Sequence, residues 1–364
     1  MTTIPLVRSF LPPREELLAS LENVLYSGYI AQGKFVDDFE SEFGKYIENN
    51  LVVSLNSGTA ALHIALVLAG VGKGDEVIST ALTAEPTNLA IKMTGAKIVW
   101  ADIDPNNGTM NPFDAESKIT EKTKAILPVD YAGIPVNINE FIRISKQYNI
   151  SIIEDSAHAL GAKYNGEKLG NHFPFVCFSF QAIKHLTTVD GGMIAFNNQE
   201  NYEKAKLIRW FGIDKKLSRI ENDIKLQGYK YHMNNVTAAI GLCQMNYIDS
   251  VISKYISNGI YYDSSLKNVP GVELLKYYPE SEPSYWIYTL KVEKREDLIK
   301  KLAENGIMAS ELHKRNDSHS FFSKSKCELP NLDKFYSKML HIPCGWWVTD
   351  EDREKIVDII KSGW

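Results

Sequence analysis

Residues 176–196 read Val-Cys-Phe-Ser-Phe-Gln-Ala-Ile-Lys-His-Leu-Thr-Thr-Val-Asp-Gly-Gly-Met-Ile-Ala-Phe. The apolar run Val176–Phe180 predicts a buried strand, and Met193–Phe196, after the turn residues Gly191-Gly192, predicts a second. One lysine, Lys184, stands between them. Burial between two core strands lowers the pKa of an amine and makes it a better nucleophile, as an enzyme that forms a Schiff base requires. The segment taken alone favours a surface lysine at a hairpin tip. The choice between this interpretation and a buried, nucleophilic lysine depends on the rest of the chain.

Composition limits the classes of function. The chain has 364 residues, which suits one large domain and a smaller one. Because its net charge is −5 and it has no long basic run, nucleic-acid binding has no electrostatic support. The four cysteines lack disulfide and metal-ligand spacing, so reduced thiols in a cytoplasmic protein are expected. No apolar run approaches the ~20 residues that span a bilayer, and the first residues lack the apolar core of a signal peptide.

Short apolar segments alternate with amphipathic ones through the first half of the chain. The alternation predicts an α/β protein with a doubly wound sheet and helices on both faces. The strand-like segments are Leu51–Leu55, Glu76–Thr80, Lys97–Asp104, Ala125–Tyr131, Ile150–Asp155 and Val176–Phe180, and the helix-like ones are Pro86–Thr94, Asp114–Ile119 and Asn139–Tyr148.

The C-terminal part of the chain predicts a smaller α+β unit. A long helix is expected from about Gln244 to Leu266, and Trp286–Val292 and Ile307–His313 are expected to be strands. We therefore assign residues 1–245 to an N-terminal arm and a large domain, and residues 246–364 to the smaller domain.

Polar residues follow several of the predicted strands at their carboxyl ends, where sheets of this type bind ligands. Ser57, Gly58 and Thr59 follow the first strand and begin an apolar helix. Such a turn offers amides and a positive dipole end to a phosphate, although simple helix capping explains the same residues. Asp155 ends an apolar strand, so its carboxylate needs a cation or a strong donor. His158 is near, but no third ligand has a metal-binding spacing, so we expect no metal and a cation supplied by a bound cofactor.

These motifs, taken in order, resemble the DegT-type (DegT/DnrJ/StrS) sugar aminotransferases. Members of this family are pyridoxal-phosphate enzymes of the aspartate aminotransferase fold, fold type I, which implies a large mixed-sheet domain and a smaller C-terminal α+β domain. The resemblance runs from about Tyr26 to the C-terminus. It rests on Ser57–His63, Gly74–Ile78, Gly95–Lys97, Asp102–Asp104, Glu154–Gly161, Phe178–Phe180 with Lys184, Asp190–Gly192, and Met233-Asn234.

The resemblance implies roles for the residues nearest the cofactor ring. Lys184 would form a Schiff base with pyridoxal 5′-phosphate and later carry the proton between the cofactor and the amino donor. Asp155 would pair with the pyridinium nitrogen and keep it protonated. Relatives commonly have an aromatic residue stacked on the ring where this chain has Ala84 and Glu85. We therefore expect His158 to be the stacking partner, with Glu85 among the cofactor contacts.

The resemblance also implies the phosphate contacts and the assembly. Asn234 matches a residue that in relatives reaches the phosphate of the neighbouring subunit, which implies a homodimer with shared active sites. The phosphate contacts within the chain are expected from Ser57, Gly58, Thr59 and Ser179.

The predicted activity is transfer of an amino group from an amino acid, expected to be L-glutamate, to a keto-sugar. The keto-sugar is expected to be nucleotide-linked and to serve surface polysaccharide or glycoconjugate biosynthesis. Amination of a smaller phosphorylated ketone stays open because Ala84-Glu85-Pro86 departs from the family pattern. Dehydration of a keto-sugar also stays open. Relatives that dehydrate have histidine in place of the lysine, so Lys184 favours transamination, although His185 is the next residue.

Overall fold

The computed structural model of the protein describes residues 3–325 and 327–364. Strands and helices alternate along the large N-terminal part, as the apolar pattern predicts. The strands are β1 (Val52–Leu55), β2 (Glu76–Thr80), β3 (Lys97–Ala101), β4 (Thr123–Leu127), β5 (Ser151–Asp155), β6 (Lys163–Tyr164), β7 (Glu167–Lys168), β8 (Phe175–Ser179), β9 (Gly192–Phe196), β10 (Val272–Leu274), β11 (Ser281–Glu282), β12 (Tyr288–Val292) and β13 (Met339–Ile342).

The α-helices vary from six to 18 residues in length. They are α1 (Arg14–Leu25), α2 (Lys34–Ile47), α3 (Gly58–Leu68), α4 (Glu85–Met93), α5 (Pro112–Ser117), α6 (Ile138–Tyr148), α7 (Gln199–Ile208), α8 (Asn235–Met245), α9 (Ile248–Ser265), α10 (Arg295–Glu304), α11 (Pro330–Lys338) and α12 (Asp350–Lys361).

A seven-stranded sheet organises the large part, in the order β1-β9-β8-β5-β4-β2-β3. The five strands from β8 to β3 in this order are parallel, whereas β9 runs antiparallel to both of its neighbours. This arrangement confirms the predicted α/β class with a large mixed sheet. It also confirms that residues 180–191, which carry Lys184, connect two antiparallel core strands.

Both faces of the sheet are buried under helices. Along β8, Phe175 and Cys177 belong to the apolar cluster under α3, α4 and α7, while Val176 and Phe178 belong to the cluster under α2 and α6. This is the two-residue period of a strand with a core on each side. The polar residues that end the strands therefore lie at one edge of the sheet, between the two cores.

The C-terminal part contains the antiparallel sheet β10-β12-β13, packed with α9, α10 and α12. The predicted strand Ile307–His313 is wrong. Ile307 and Ser310 form only isolated bridges, and the backbone turns at Leu312, where φ is +59°. None of the described helices combines the length and the apolar character needed to cross a membrane. The division of the chain after residue 245 stays a prediction.

The long helix predicted from about Gln244 to Leu266 is confirmed as α9, which begins four residues later, at Ile248, and ends at Ser265. Between α8 and α9 the Tyr247 amide bonds to the carbonyl of Gln244, three residues back, so a tight turn separates the two helices. The apolar period continues across this tight turn, so the sequence pattern places the start of the long helix only approximately.

Candidate active site

A cavity of about 410 Å³ opens where the central parallel strands end. It collects side chains from β5, β8, the start of α3, the start of α4, and the segment between β8 and β9. Its wall includes eight of the nine predicted site residues, namely Ser57, Gly58, Thr59, Glu85, Asp155, His158, Ser179 and Lys184.

Lys184 lies in the segment that connects β8 to β9, and its side chain reaches the cavity. The amine Nζ is 3.9 Å from the centre of the Trp286 ring. Burial among protein atoms lowers the pKa of Lys184 to about 7, and the charge of Asp155 acts in the opposite direction. Near neutral pH the amine therefore populates both protonation states. Nucleophilic attack requires the neutral form, and proton transfer uses both forms.

Asp155 ends β5 and is only 3% exposed. The Thr87 hydroxyl donates to its Oδ2 over 2.8 Å, and the Ala157 amide donates to its Oδ1 over 3.1 Å. Burial raises the pKa of Asp155, while these two donors and the Lys184 charge lower it. A protonated ring nitrogen placed against this carboxylate would supply the cation that a buried acid requires.

The start of α3 is shaped to admit an anion. The Ser57 hydroxyl accepts from the Ala60 amide and caps the helix, so the amides of Gly58 and Thr59 begin the helix facing the cavity. A Cβ on Gly58 would lie 2.9 Å from the Cβ and 3.1 Å from the Oγ of Ser179. Helix capping and anion binding, which the sequence left as alternatives, are thus compatible here.

His158 forms a flat part of the cavity wall. Its ring stacks on Trp286 with centres 3.9 Å apart and planes 19° apart, and its Nδ1 accepts from the Ala132 amide over 3.4 Å. Burial first, and then the nearby Lys184 charge, hold the pKa of His158 well below its usual value. A neutral imidazole backed by an indole can pack against a cofactor ring, as expected where the usual aromatic residue is missing.

Glu85, one of the predicted site residues, and His313 add polar groups to the cavity wall. Glu85 begins α4, and its carboxylate is 3.5 Å from Nε2 of His319. His313 also lines the cavity, and its buried Nε2 has no hydrogen-bond partner among the described residues. Burial, reinforced by Lys184, lowers the pKa of His313 to about 4, so this imidazole is neutral. It lies far along the chain from Asp155, within the stretch Glu311–Asp317, which the sequence indicates only as a source of substrate contacts.

Asn234 is the predicted site residue that this cavity does not include. Its side chain caps α8 by accepting from the Thr237 amide over 2.9 Å. A role in a neighbouring subunit therefore stays a prediction.

The donor set fits pyridoxal phosphate and offers no alternative metal centre. Within the described ranges, no group of three or more His, Cys, Asp or Glu side chains is placed to hold a metal ion. The close approach of Gly58 to Ser179 suits the phosphate end of the cofactor, and the buried carboxylate of Asp155 suits its ring nitrogen. Lys184 lines the same cavity.

Comparisons with known proteins agree with this geometry. A transaminase from Campylobacter jejuni, named UDP-4-amino-4,6-dideoxy-N-acetyl-beta-L-altrosamine transaminase, is 32% identical over 94% of this chain and 93% of its own. The sugar aminotransferase CalS13 from Micromonospora echinospora has a TM-score of 0.96 and 37% identity over 99% of this chain and 100% of its own.

Spr1654 from Streptococcus pneumoniae has been solved in a PLP form and a PMP form. Both are 28% identical to this chain and cover 99% of it, with TM-scores of 0.89 and 0.90 over 98% and 97% of their own chains. The family model for the DegT/DnrJ/EryC1/StrS aminotransferases matches residues 13–361. A match over nearly the whole length, on a PLP-dependent transferase fold of type I, shows that this chain belongs to the DegT/DnrJ/EryC1/StrS aminotransferase family.

Proposed function

We propose that this aminotransferase moves an amino group from L-glutamate to a keto-sugar carried on a nucleotide, using pyridoxal 5′-phosphate and its pyridoxamine form. The product would enter surface polysaccharide or glycoconjugate biosynthesis. The observation that carries the proposal is that Lys184 and Asp155 share one cavity, which the start of α3, with Gly58, also lines. The substrate class is supported by the name of the Campylobacter jejuni relative.

Each wall residue has a definite task in this proposal. When bound, the cofactor supplies a ring that accepts electrons during proton transfer. Asp155 holds a proton on the ring nitrogen, and Thr87 orients that carboxylate. Lys184 accepts and returns a proton, because its pKa of about 7 leaves part of the amine neutral at physiological pH. The amides of Gly58 and Thr59 and the Ser179 hydroxyl hold the phosphate.

The test starts with purified protein, pyridoxal 5′-phosphate and L-glutamate. We expect visible absorbance from lysine-bound cofactor, which glutamate converts to the pyridoxamine spectrum. Nucleotide-linked 4-keto-sugars and small phosphorylated ketones are then compared as acceptors that restore the first spectrum. Lys184→Ala should fold and show no lysine-bound absorbance. Normal turnover by that variant, or restoration only by the small ketones, would contradict the proposal.

A dehydratase would be distinguished by its use of glutamate. Amino transfer consumes one glutamate for each keto-sugar converted, whereas elimination of water needs no amino donor in each cycle. The structure favours transfer because Lys184, and not His185, reaches the cavity wall. Conversion of the keto-sugar without matching loss of glutamate would favour the dehydratase.

We also propose a homodimer in which Asn234 serves the partner's cavity. Near Asn234, the loop of residues 26–33 is bound to α8 by hydrogen bonds from Asn235 to the carbonyls of Tyr29 and Ile30. Tyr26 and Tyr29 on this loop are 87% and 74% exposed, which suits a covering partner.

Subunit mixing tests the shared site. Asn234→Asp keeps the helix cap but places a negative charge where a phosphate is expected, and Lys184→Ala removes the nucleophile. Each variant alone should be nearly inactive. A mixture should regain up to about a quarter of wild-type activity, because half the dimers would be mixed and each would hold one intact site. A mixture that stays inactive although exchange is complete would show that the sites are not shared.

We place the protein in the cytoplasm. Cys177 and Cys344 are buried free thiols, as expected in a reducing compartment. Cell fractionation with an antibody against the chain would check the location.

A further inference from the structure

Three contacts join the segment that carries Lys184 to residues 284–286, just before β12. We propose that Trp286 is a positioning residue for Lys184, holding both the amine and the backbone on its N-terminal side. The proposal rests on the proposed function, because it concerns how that lysine is presented to the cofactor. Trp286 does not line the cavity, so it acts through Lys184 and His158 and not by touching substrate.

The first two contacts fix the backbone on either side of the lysine. The Trp286 indole Nε1 donates to the carbonyl of Ile183 over 2.8 Å. On the other side, the His185 ring Nε2 donates to the carbonyl of Ser284 over 3.2 Å. Burial lowers the pKa of His185 to about 3, so the ring is neutral. Residues 183 and 185 are therefore both held by one short segment from the C-terminal part.

The third contact concerns the amine itself. Nζ of Lys184 is 3.9 Å from the Trp286 ring centre, within the range in which an ammonium group is attracted to an indole face. The same ring stacks on His158, which forms the cavity wall. One indole thus fixes the free amine relative to the surface against which the cofactor ring is expected to pack.

The 284–286 segment is itself held in place. The Ser284 amide donates to the carbonyl of Gly133 over 2.9 Å. A Cβ on Gly133 would lie 2.8 Å from the backbone nitrogens of both Tyr285 and Trp286, so this approach requires glycine. Tyr285 has a φ of +50°, a conformation that non-glycine residues adopt rarely. A fixed, locally strained segment is suited to placing a neighbouring group accurately.

Two substitutions separate the hydrogen bond that Trp286 donates to Ile183 from the contact of its ring with the Lys184 amine. Trp286→Phe keeps an aromatic ring and removes the N–H donor, whereas Trp286→Leu removes both. Trp347→Phe is the matched control, because Trp347 is also buried in the C-terminal part and donates its Nε1 to a carbonyl, that of Pro5, over 2.9 Å. Circular dichroism and thermal unfolding establish that each variant folds.

The first measurement uses cofactor-free protein. Brief labelling with acetic anhydride over a pH series, followed by peptide mass spectrometry, gives the pH midpoint of Lys184 acetylation, the pH at which half of the amine is neutral. We expect a midpoint about one unit lower in Trp286→Leu, because the ammonium form loses the indole, and little change in Trp286→Phe or Trp347→Phe. A midpoint in Trp286→Leu that is unchanged or higher would overturn the proposal.

The second measurement uses cofactor-loaded protein. Both Trp286 variants should convert glutamate roughly tenfold or more slowly in single turnover, with substrate affinity little changed, while Trp347→Phe reacts at the wild-type rate. Wild-type rates in both Trp286 variants would also overturn the proposal. If the wild-type protein formed no lysine-bound cofactor, the proposed function would fail, but the labelling midpoints would still show whether Trp286 holds the amine.

Discussion

Asp155 depends on a donor from another element, the Thr87 hydroxyl on α4. Thr87→Val removes this hydroxyl and preserves the shape of the side chain. The charged form of Asp155 then loses a supporting hydrogen bond, and such a bond to a charged group contributes about 1.5–3 kcal/mol. We expect the dissociation constant for pyridoxal 5′-phosphate to rise about tenfold or more, as measured by absorbance titration.

Two related variants control this experiment. Thr87→Ser keeps the hydroxyl and should bind the cofactor nearly as well as the wild type. Thr94→Val, at the opposite end of the same helix, removes a hydroxyl that bonds only to the local backbone. If Thr87→Val bound the cofactor as tightly as these controls, the hydroxyl would not support the Asp155 carboxylate.

Lys184 should make the cofactor-free protein less stable near neutral pH. Its pKa is about 7 in the folded chain against 10.5 for an ordinary lysine, so between these values the unfolded chain binds an extra proton. Stability therefore rises with pH from about 7 to 10.5. Lys184→Met removes this dependence, and urea unfolding at pH 7 should show it more stable than the wild type by up to about 5 kcal/mol.

The pH dependence distinguishes this effect from ordinary repacking. The advantage of Lys184→Met should shrink as the pH approaches 10, because the wild-type lysine is then neutral in both states. Lys204→Met, at a lysine whose side chain is 47% exposed, should show no such slope. A constant difference between Lys184→Met and the wild type at every pH would mean that the amine is not desolvated.

Most of the site residues were predictable because they end neighbouring strands. Asp155 and Ser179 each follow apolar segments, and parallel strands bring such ends to one edge of the sheet. His313 and Trp286 were not predictable in this way. His313 lines the cavity and Trp286 stacks behind His158. Both come from the C-terminal part, through contacts between residues more than a hundred positions apart, as in the Trp286–Ile183 bond.

At the scale of elements, the start of α3 offers a direct test of the anion site. Gly58→Ala should favour the helix, since alanine has the higher helix propensity by about 1 kcal/mol. The added methyl would nevertheless lie 2.9 Å from Cβ of Ser179, so it must push the two elements apart where the phosphate is expected. We predict that cofactor affinity falls at least roughly tenfold while the unfolding free energy changes little.

Gly72→Ala is the matched control, because a Cβ there would meet only the carboxylate of Asp75, at 4.0 Å. It should leave cofactor binding unchanged. Equal binding by Gly58→Ala and Gly72→Ala would remove the start of α3 from the phosphate site, whereas a large loss of stability in Gly58→Ala would assign Gly58 to packing alone.

The sequence pattern identifies element interiors better than their ends. β2 has the predicted bounds, but β3 ends at Ala101, before the predicted Asp104. The carboxylate of Asp102 accepts from the amides of Asn331 and Leu332 at the start of α11, so it serves a distant helix. Long-range polar partners of this kind leave no periodic signal.

At the scale of the whole molecule, alternating strands and helices predict a doubly wound sheet but not its order. The position of β9 between β1 and β8, antiparallel to both, does not follow from hydrophobic period. The resemblance to aminotransferases supplied the expectation of a mixed sheet, which the structure confirms. The packing of the C-terminal part against the Lys184 segment depends on contacts between residues about a hundred positions apart, which no local pattern predicts.

Asp263 on α9 organises that packing. Its carboxylate accepts hydrogen bonds from the hydroxyls of Tyr285 and Tyr288, each over 2.7 Å, and of Tyr277 over 3.3 Å. Asp263→Ala would leave these partly buried hydroxyls without their common acceptor. Since an unsatisfied buried polar group costs about 1–3 kcal/mol, we expect the unfolding free energy to fall by about 3 kcal/mol or more in urea titrations.

Activity should fall in the same variant even where it is fully folded, because Tyr285 adjoins Trp286 and loses the bond that restrains its left-handed backbone. Tyr285→Phe removes one of the three donors and should show a smaller loss of both stability and rate. Asp358→Ala, at an exposed position on α12, should change the unfolding free energy by no more than about 0.5 kcal/mol. A full wild-type rate in folded Asp263→Ala would show that the C-terminal part supports stability without placing the lysine.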